Sequence, residues 1–252
     1  MESFIPMLNA IDSFMWGPPL ITLLVGTGIY LTLRLRLLQV VRLPKALALI
    51  FKAKNHGEGD VSSFKALCVA LAATVGTGNI VGVATAVKIG GPGAIFWMWM
   101  AAFFGMATKY AEGLLAVKYR STDAKGNIAG GPMYYIRQGM GEKYKPLATF
   151  FAAATILVAY FGIGTFPQVN AIVDSAEISF GLSKVLTGFM LTVLIAAITI
   201  GGLQSIAKVA SKVIPFMAIM YITISLGLIV MNIDALPAAV ALVLESAFTG
   251  TA

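Results

Sequence analysis

Long apolar runs without a single charge recur along this 252-residue chain. They cover residues 13–33, 66–87, 89–108, 146–173, 185–207 and 213–233, and a seventh apolar run, which carries one charge at Glu245, begins near Leu236 and continues to Ala252. Each of the first six is about 20 residues or longer, enough for a helix to cross about 30 Å of hydrocarbon. Lipid offers no partner to a bare amide or carbonyl, so such spans are helical. Transmembrane strands would need polar–apolar alternation, which these runs lack. The pattern predicts an all-α polytopic membrane protein with one transmembrane domain over residues 1–252. Its spans fall at about 18–35, 64–88, 93–118, 146–172, 185–203 and 211–232, with a further helix opening at 236–252.

The segments between the runs have their own signals. Residues 1–16 hold Glu2 and Asp12 and no basic n-region. They read as a short amphipathic helix on the outer surface rather than a cleaved signal peptide. Residues 37–54 mix leucines with basic side chains, as an interfacial helix does. The polar stretch His56-Gly57-Glu58-Gly59-Asp60 breaks that helix, and a flexible loop accounts for it better than a metal site does. Ser62 or Ser63 can cap the next helix. Phe96, Trp97 and Trp99 suit an interfacial aromatic belt. Lys109 and Glu112 stand three apart on one helix and can pair. In the loop 119–145, Gly130-Gly131-Pro132 signals a turn before the amphipathic 133–139 segment.

Composition agrees with the pattern. Apolar residues make up 58% of the chain and charged residues 12%, with a mean hydropathy of +0.87. The net charge of +7 would suit nucleic acid if it were clustered on a soluble surface. Its distribution excludes that reading. Fifteen Lys and Arg fall in three alternate loops, only Lys88 and Lys184 fall in the others, and Lys109 lies inside a run. This positive-inside bias predicts a multi-pass cell-membrane protein with its N-terminus outside and the basic loops in the cytoplasm. The single Cys68 leaves no intramolecular disulfide or CxxC motif, and a small buried hydrophobe is the expected role.

Gly76-Thr77-Gly78-Asn79 interrupts the second run. Glycine inside a helix costs roughly 1 kcal/mol against alanine, so two flanking a threonine invite unwinding. Unwound backbone survives at membrane depth only where protein or a wet cavity satisfies it. The break would leave amides at one half-helix N-terminus, which attract a carboxylate, and carbonyls at the other C-terminus, which attract a cation. Close helix packing on small residues is the alternative, and Asn79 favours the functional reading. Gly26-Thr27-Gly28 in the first span fits the packing reading. The spacing is not GxGxxG, because the next glycine is Gly82, and no strand precedes it.

The run Ala72-Ala73-Thr74-Val75-Gly76-Thr77-Gly78-Asn79-Ile80 resembles the broken first core helix of the leucine-transporter fold, and in particular that of the alanine or glycine:cation symporter family. Gly90-Gly91-Pro92-Gly93-Ala94-Ile95-Phe96-Trp97, Ala107-Thr108-Lys109-Tyr110-Ala111-Glu112 and Ala129-Gly130-Gly131-Pro132-Met133-Tyr134 fit the same family. The resemblance implies two inverted five-helix repeats behind one extra N-terminal span, with this chain carrying the extra span and the first repeat. It implies sodium-coupled symport of small neutral amino acids, alanine and glycine, by alternating access. It implies Na⁺ as the coupling ion and no organic cofactor. The amides of Thr77 and Gly78, with Gly76 beside them, would hold the substrate carboxylate. The carbonyls of Ala72 and Val75 would face sodium, with Asn79 near a second cation position. Gln168 would meet the substrate or form an interhelical hydrogen bond, and Thr165 and Phe161 would share its helical face. The family continues into a second repeat. The expectation is therefore that this chain is the N-terminal part of a longer transporter, its remaining pocket and sodium ligands supplied elsewhere.

Other classes fit less well. An enzyme would need a nucleophile with its base or clustered metal ligands, and one His, one Cys and scattered carboxylates supply neither. A proton-coupled carrier lacks an acidic residue among residues 72–79. A channel subunit or other non-transport bundle would not require a broken helix with Asn and Gln at mid-depth. The expected partners are a small neutral amino acid and the lipid bilayer, with no nucleic acid.

Overall fold

A computed structural model describes residues 4–52, 62–122, 126, 128–162 and 164–249. His56, Glu58 and Asp60, together with Lys54, Lys125 and residues 250–252, lie outside the described residues. Apart from the two-residue strands Ser121–Thr122 and Ile128–Ala129, the regular structure is helical. Three helical stretches are long and apolar enough to cross a membrane: Ile5–Arg34, Glu142–Phe180 and Gly202–Met231. A fourth is obtained if Ser63–Thr74 and Thr77–Gly90, bent by 60° at their junction, count as one span. Lys184–Thr199 is apolar but shorter. The chain divides into two packing units: residues 1–51, 97–123 and 129–148 in the first, and 52–96, 124–128 and 149–252 in the second.

In the first unit, α1 (Phe4–Trp16) and α2 (Pro18–Arg34) meet at Gly17. Pro18 and Pro19 suit the first turn of α2, where no amide partner is available in any case. The N-terminal segment therefore runs into the first span within one 30-residue apolar stretch. Gly28 faces α7 (Gly93–Lys118), where a Cβ would stand 2.9 Å from Phe104 Cβ, while Gly26 has open space around it. Only one glycine of the Gly26-Thr27-Gly28 triplet is thus a packing residue. After α2 the chain reverses through Arg36 and Leu37, both at φ +55°. Residues with a Cβ enter this region at about 1–3 kcal/mol each. Thr32 holds the reversal: its carbonyl accepts from Leu37 N at 2.9 Å and its hydroxyl from Gln39 Nε2 at 3.0 Å. The turn delivers α3 (Leu38–Val41) and the amphipathic α4 (Leu43–Lys52). On α7, Lys109 and Glu112 pair at 2.8 Å. α8 (Pro132–Met140) follows Gly131, whose φ of +119° only glycine adopts readily, and Gly139 lies against the Tyr119 ring.

The second unit is built on α5 (Ser63–Thr74) against α12 (Gly202–Met231). Cys68, Ala210 and Ile214 form its buried core, with Val69, Leu71 and Met217 packed around them. Small residues at this crossing let the two backbones approach, the usual basis of helix association in lipid. α12 runs unbroken through Lys208 and Lys212, so these residues occupy its first half rather than an interhelical loop. Pro215 lies within it. α10 (Thr165–Phe180) and α11 (Lys184–Thr199) form a hairpin closed by Gly181 at φ +67°. Lys184 Nζ spans that turn to Asp174 at 2.8 Å and Glu177 at 3.3 Å. Hydrogen bonds to Asp174 and then Glu177 hold its pKa above the ordinary lysine value. α13 (Leu236–Ser246) ends against the start of α7: Gly93 lies on the Ser246 carbonyl without room for a Cβ, and Phe248 tilts onto Phe96 at 5.5 Å.

Cys68 is 1% exposed. In the folded full-length protein it should resist a membrane-permeant maleimide, and peptide mapping should find it alkylated only after denaturation. Rapid modification under native conditions would overturn the α5–α12 packing.

Candidate functional site

The break between α5 and α6 (Val81–Gly90) begins where the last regular α5 bond, Val75 N to Leu71 O at 2.7 Å, is made. Val75 and Gly76 are extended, at φ −95° and −152°. Thr77–Asn79 then forms one 3₁₀ turn before α6 starts. Glycine is not required at residue 76 by its dihedrals, which any residue adopts. The chain recloses through Asn79. Its N–H donates to Gly76 O at 3.0 Å, and its Oδ1 accepts from Gly76 N at 2.9 Å.

That second bond decides which groups are released. In an uninterrupted helix, Gly76 N–H would donate to the Ala72 carbonyl. With the amide turned to Asn79, the carbonyls of Ala72, Ala73, Thr74 and Val75 have no hydrogen-bond donor among the described residues. The Thr77 and Gly78 amides likewise have no acceptor there. The carbonyls sit at the negative end of α5 and the amides at the positive approach to α6. A cation and an anion can therefore be held on opposite sides of one loop. Asn79 acts here as the clasp of the break, and its Oδ1 keeps a second lone pair.

Gln168 lies in the first turn of α10, and its amide rests against Gly76: a Cβ on Gly76 would stand 3.3 Å from Oε1 and 3.5 Å from Cδ. A side chain at residue 76 would make the Gln168 amide give way by a few tenths of an ångström. Gly78 has nothing within 4 Å of where its Cβ would be. Beside the break lies a cavity of about 370 Å³, with Thr77, Ile80 and Val81 on one wall and Ala171, Ile172, Ser175, Ala176, Ser179 and Phe180 on the other. The structure thus brings Gly76 and Gln168 together and sets Thr77 on a cavity wall. Phe161 and Thr165 do not line that cavity. Phe161 is 60% exposed and ends α9 (Lys145–Phe161), before the chain turns at Gly162 with φ +60°. Phe161 and Gln168 therefore do not share one continuous helix face. The sequence reading missed Ser175 and Ser179, although their seven- and eleven-residue offsets from Gln168 mark one stripe of α10.

The sequence profile of the sodium:alanine symporter family matches residues 1–252. The chain belongs to the sodium:alanine symporter family. It is 57% identical over 242 residues to an uncharacterized transporter of Haemophilus influenzae, covering 96% of this chain and 53% of that protein. It is 48% identical over 253 residues to the sodium/alanine symporter AgcS of Methanococcus maripaludis, covering 99% and 56%. It is 44% identical over 248 residues to the putative sodium/proton-dependent alanine carrier protein YrbD of Bacillus subtilis, covering 98% and 50%. The chain spans about half the length of the curated relatives it matches. Membership of this transporter family, with several helices able to cross a bilayer, makes the chain part of a multi-pass membrane protein.

The two glycines of the break should respond differently to a side chain. Gly76→Leu must displace Gln168, and overpacking of this kind costs about 1–3 kcal/mol. Gly78→Leu enters open space and should change stability by no more than about 0.5 kcal/mol. Thermal unfolding of the purified full-length variants tests this; equal melting temperatures would remove the Gly76–Gln168 contact from the site.

Proposed function

We propose that the chain is the N-terminal part of a secondary transporter that moves small neutral amino acids, alanine and glycine, into the cell with Na⁺ by alternating access. The released carbonyls and amides at residues 72–78 carry this reading. The Thr77 and Gly78 amides, with Gly76 next to them, receive the substrate carboxylate. The Ala72 and Val75 carbonyls face Na⁺, and Asn79 lies close enough to contribute its remaining lone pair. Gln168, held against Gly76, meets the substrate from α10, and the neighbouring cavity gives it room beside Thr77. Thr165 and Phe161 enter the site only if the turn at Gly162 moves them toward it. The fold proposed for the whole protein is the leucine-transporter-like inverted repeat, with α5–α6 as the broken helix of the first repeat.

Sodium is preferred to protons because no acidic residue lies among residues 72–79. Glu112 is paired with Lys109, and Glu245 lies on α13, away from the break in sequence. The printed name of AgcS supports sodium with alanine, while that of YrbD keeps protons as the second reading.

Three measurements on the full-length protein test these points. Alanine should bind about 5–150-fold more tightly in Na⁺ than in choline, an ordinary range for coupled sites. Affinity that follows pH and ignores Na⁺ would replace sodium by protons. Gly78→Leu should abolish uptake in a protein that still inserts and unfolds normally; unimpaired uptake would reduce the break to a packing motif. With the N-terminus outside, an impermeant thiol reagent should label Lys184→Cys in intact cells and Lys212→Cys only after permeabilisation, and the opposite pattern would invert the topology.

A further inference from the structure

Within the first packing unit, α3, α4 and α7 enclose a second cavity, of about 540 Å³. Arg42 and Lys45 line it, and neither makes an ion pair among the described residues. No acidic residue is part of its wall among the described residues. Two cations in one cleft repel each other until an anion arrives, so the electrostatics call for a ligand with several acceptor oxygens. Gln39 also lines the cleft and is 8% exposed. Its Nε2 donates to Thr32 Oγ1 at 3.0 Å. Leu43, Leu49 and Met106 supply the apolar remainder.

We propose that this cleft binds an anionic glycerophospholipid such as phosphatidylglycerol. The phosphodiester oxygens take Arg42 and Lys45, and the upper acyl chain runs along Leu43, Leu49 and Met106. Basic clefts between membrane helices recognise anionic lipid heads by this combination of charge and apolar wall. Gln39 is fixed by the same Thr32 that closes the Arg36–Leu37 turn, so the cleft is built before the lipid enters. The bilayer itself supplies the ligand at high local concentration. The site is independent of the α5–α6 break, and its failure would leave the transport reading untouched.

The test is native mass spectrometry of the purified full-length protein titrated with phosphatidylglycerol, alongside thermal shifts with phosphatidylcholine and with millimolar inorganic phosphate. Phosphatidylglycerol should bind the natural protein about 30-fold more tightly than the Arg42→Gln, Lys45→Gln double variant, which corresponds to roughly 1 kcal/mol per basic residue. Both side chains are exposed, so the double variant should fold. Phosphatidylcholine, which is zwitterionic, should bind weakly. Equal lipid binding by the double variant, equal binding of phosphatidylcholine, or the same stabilisation by inorganic phosphate alone would each overturn the proposal.

Discussion

A peptide group in hydrocarbon has nowhere to turn but the protein, and the interrupted span from Ser63 to Gly90 is arranged around that constraint. Breaking a helix releases up to four carbonyls below the break and the amides above it. In water the solvent would satisfy them. In a membrane each unsatisfied group costs several kcal/mol, so the break has to be clasped by its own side chains or occupied by something else. Asn79 does the first by closing a ring with Gly76 N–H and C=O. It takes up the amide that would otherwise have returned to Ala72. The geometry that stabilises the turn is therefore the same geometry that exposes the Ala72–Val75 carbonyls.

The rest of the second unit keeps this break in place. α5 is fixed through Cys68 to Ala210 and Ile214 of α12, and α10 reaches the break through Gln168. Both contacts depend on small residues, because helices in lipid gain from close approach rather than from expelling water. The outward faces are correspondingly apolar: Ile89, Ile178, Val185 and Ile200 are all at least 80% exposed. In water such surfaces would be an aggregation hazard, whereas lipid tails or further transmembrane segments cover them without cost. At the turn between α10 and α11, Lys184 bridges Asp174 and Glu177.

Much of this was legible in the sequence because lipid leaves so few options. The charge-free runs gave the helices, and Gly76-Thr77-Gly78-Asn79 gave the break to within a residue. Gln168 stood out as a polar side chain in an apolar run, and its amide lies against Gly76. The turn at Gly162–Gly164 was not legible: two glycines separated by isoleucine look like small packing residues until φ +60° is seen at the first. It separates α9 from α10 and takes Phe161 off the continuous helix face of Gln168. The Lys208–Lys212 segment misled in the opposite direction. Positive charge marks an interface, but it does not end a helix, and α12 simply continues through it. Gln39 carried no periodic signal at all, since its burial depends on two left-handed residues, Arg36 and Leu37, that no pattern announces.

The two glycines of the break differ in their surroundings. Gln168 rests against Gly76, where a Cβ would stand 3.3 Å from its Oε1. Gly78 is needed for no packing reason, since the space beside it is open. An open approach to a bare amide is what an incoming carboxylate requires, and a side chain there would obstruct it. A cation on the Ala72 and Val75 carbonyls and a carboxylate on the Thr77 and Gly78 amides would each order the same short loop. Whichever arrived first would lower the entropic cost left for the second, and the benefit would be reciprocal. Coupling between ion and substrate would then need no long-range relay, because the end of α5 and the turn after it would present both sets of ligands within residues 72–78.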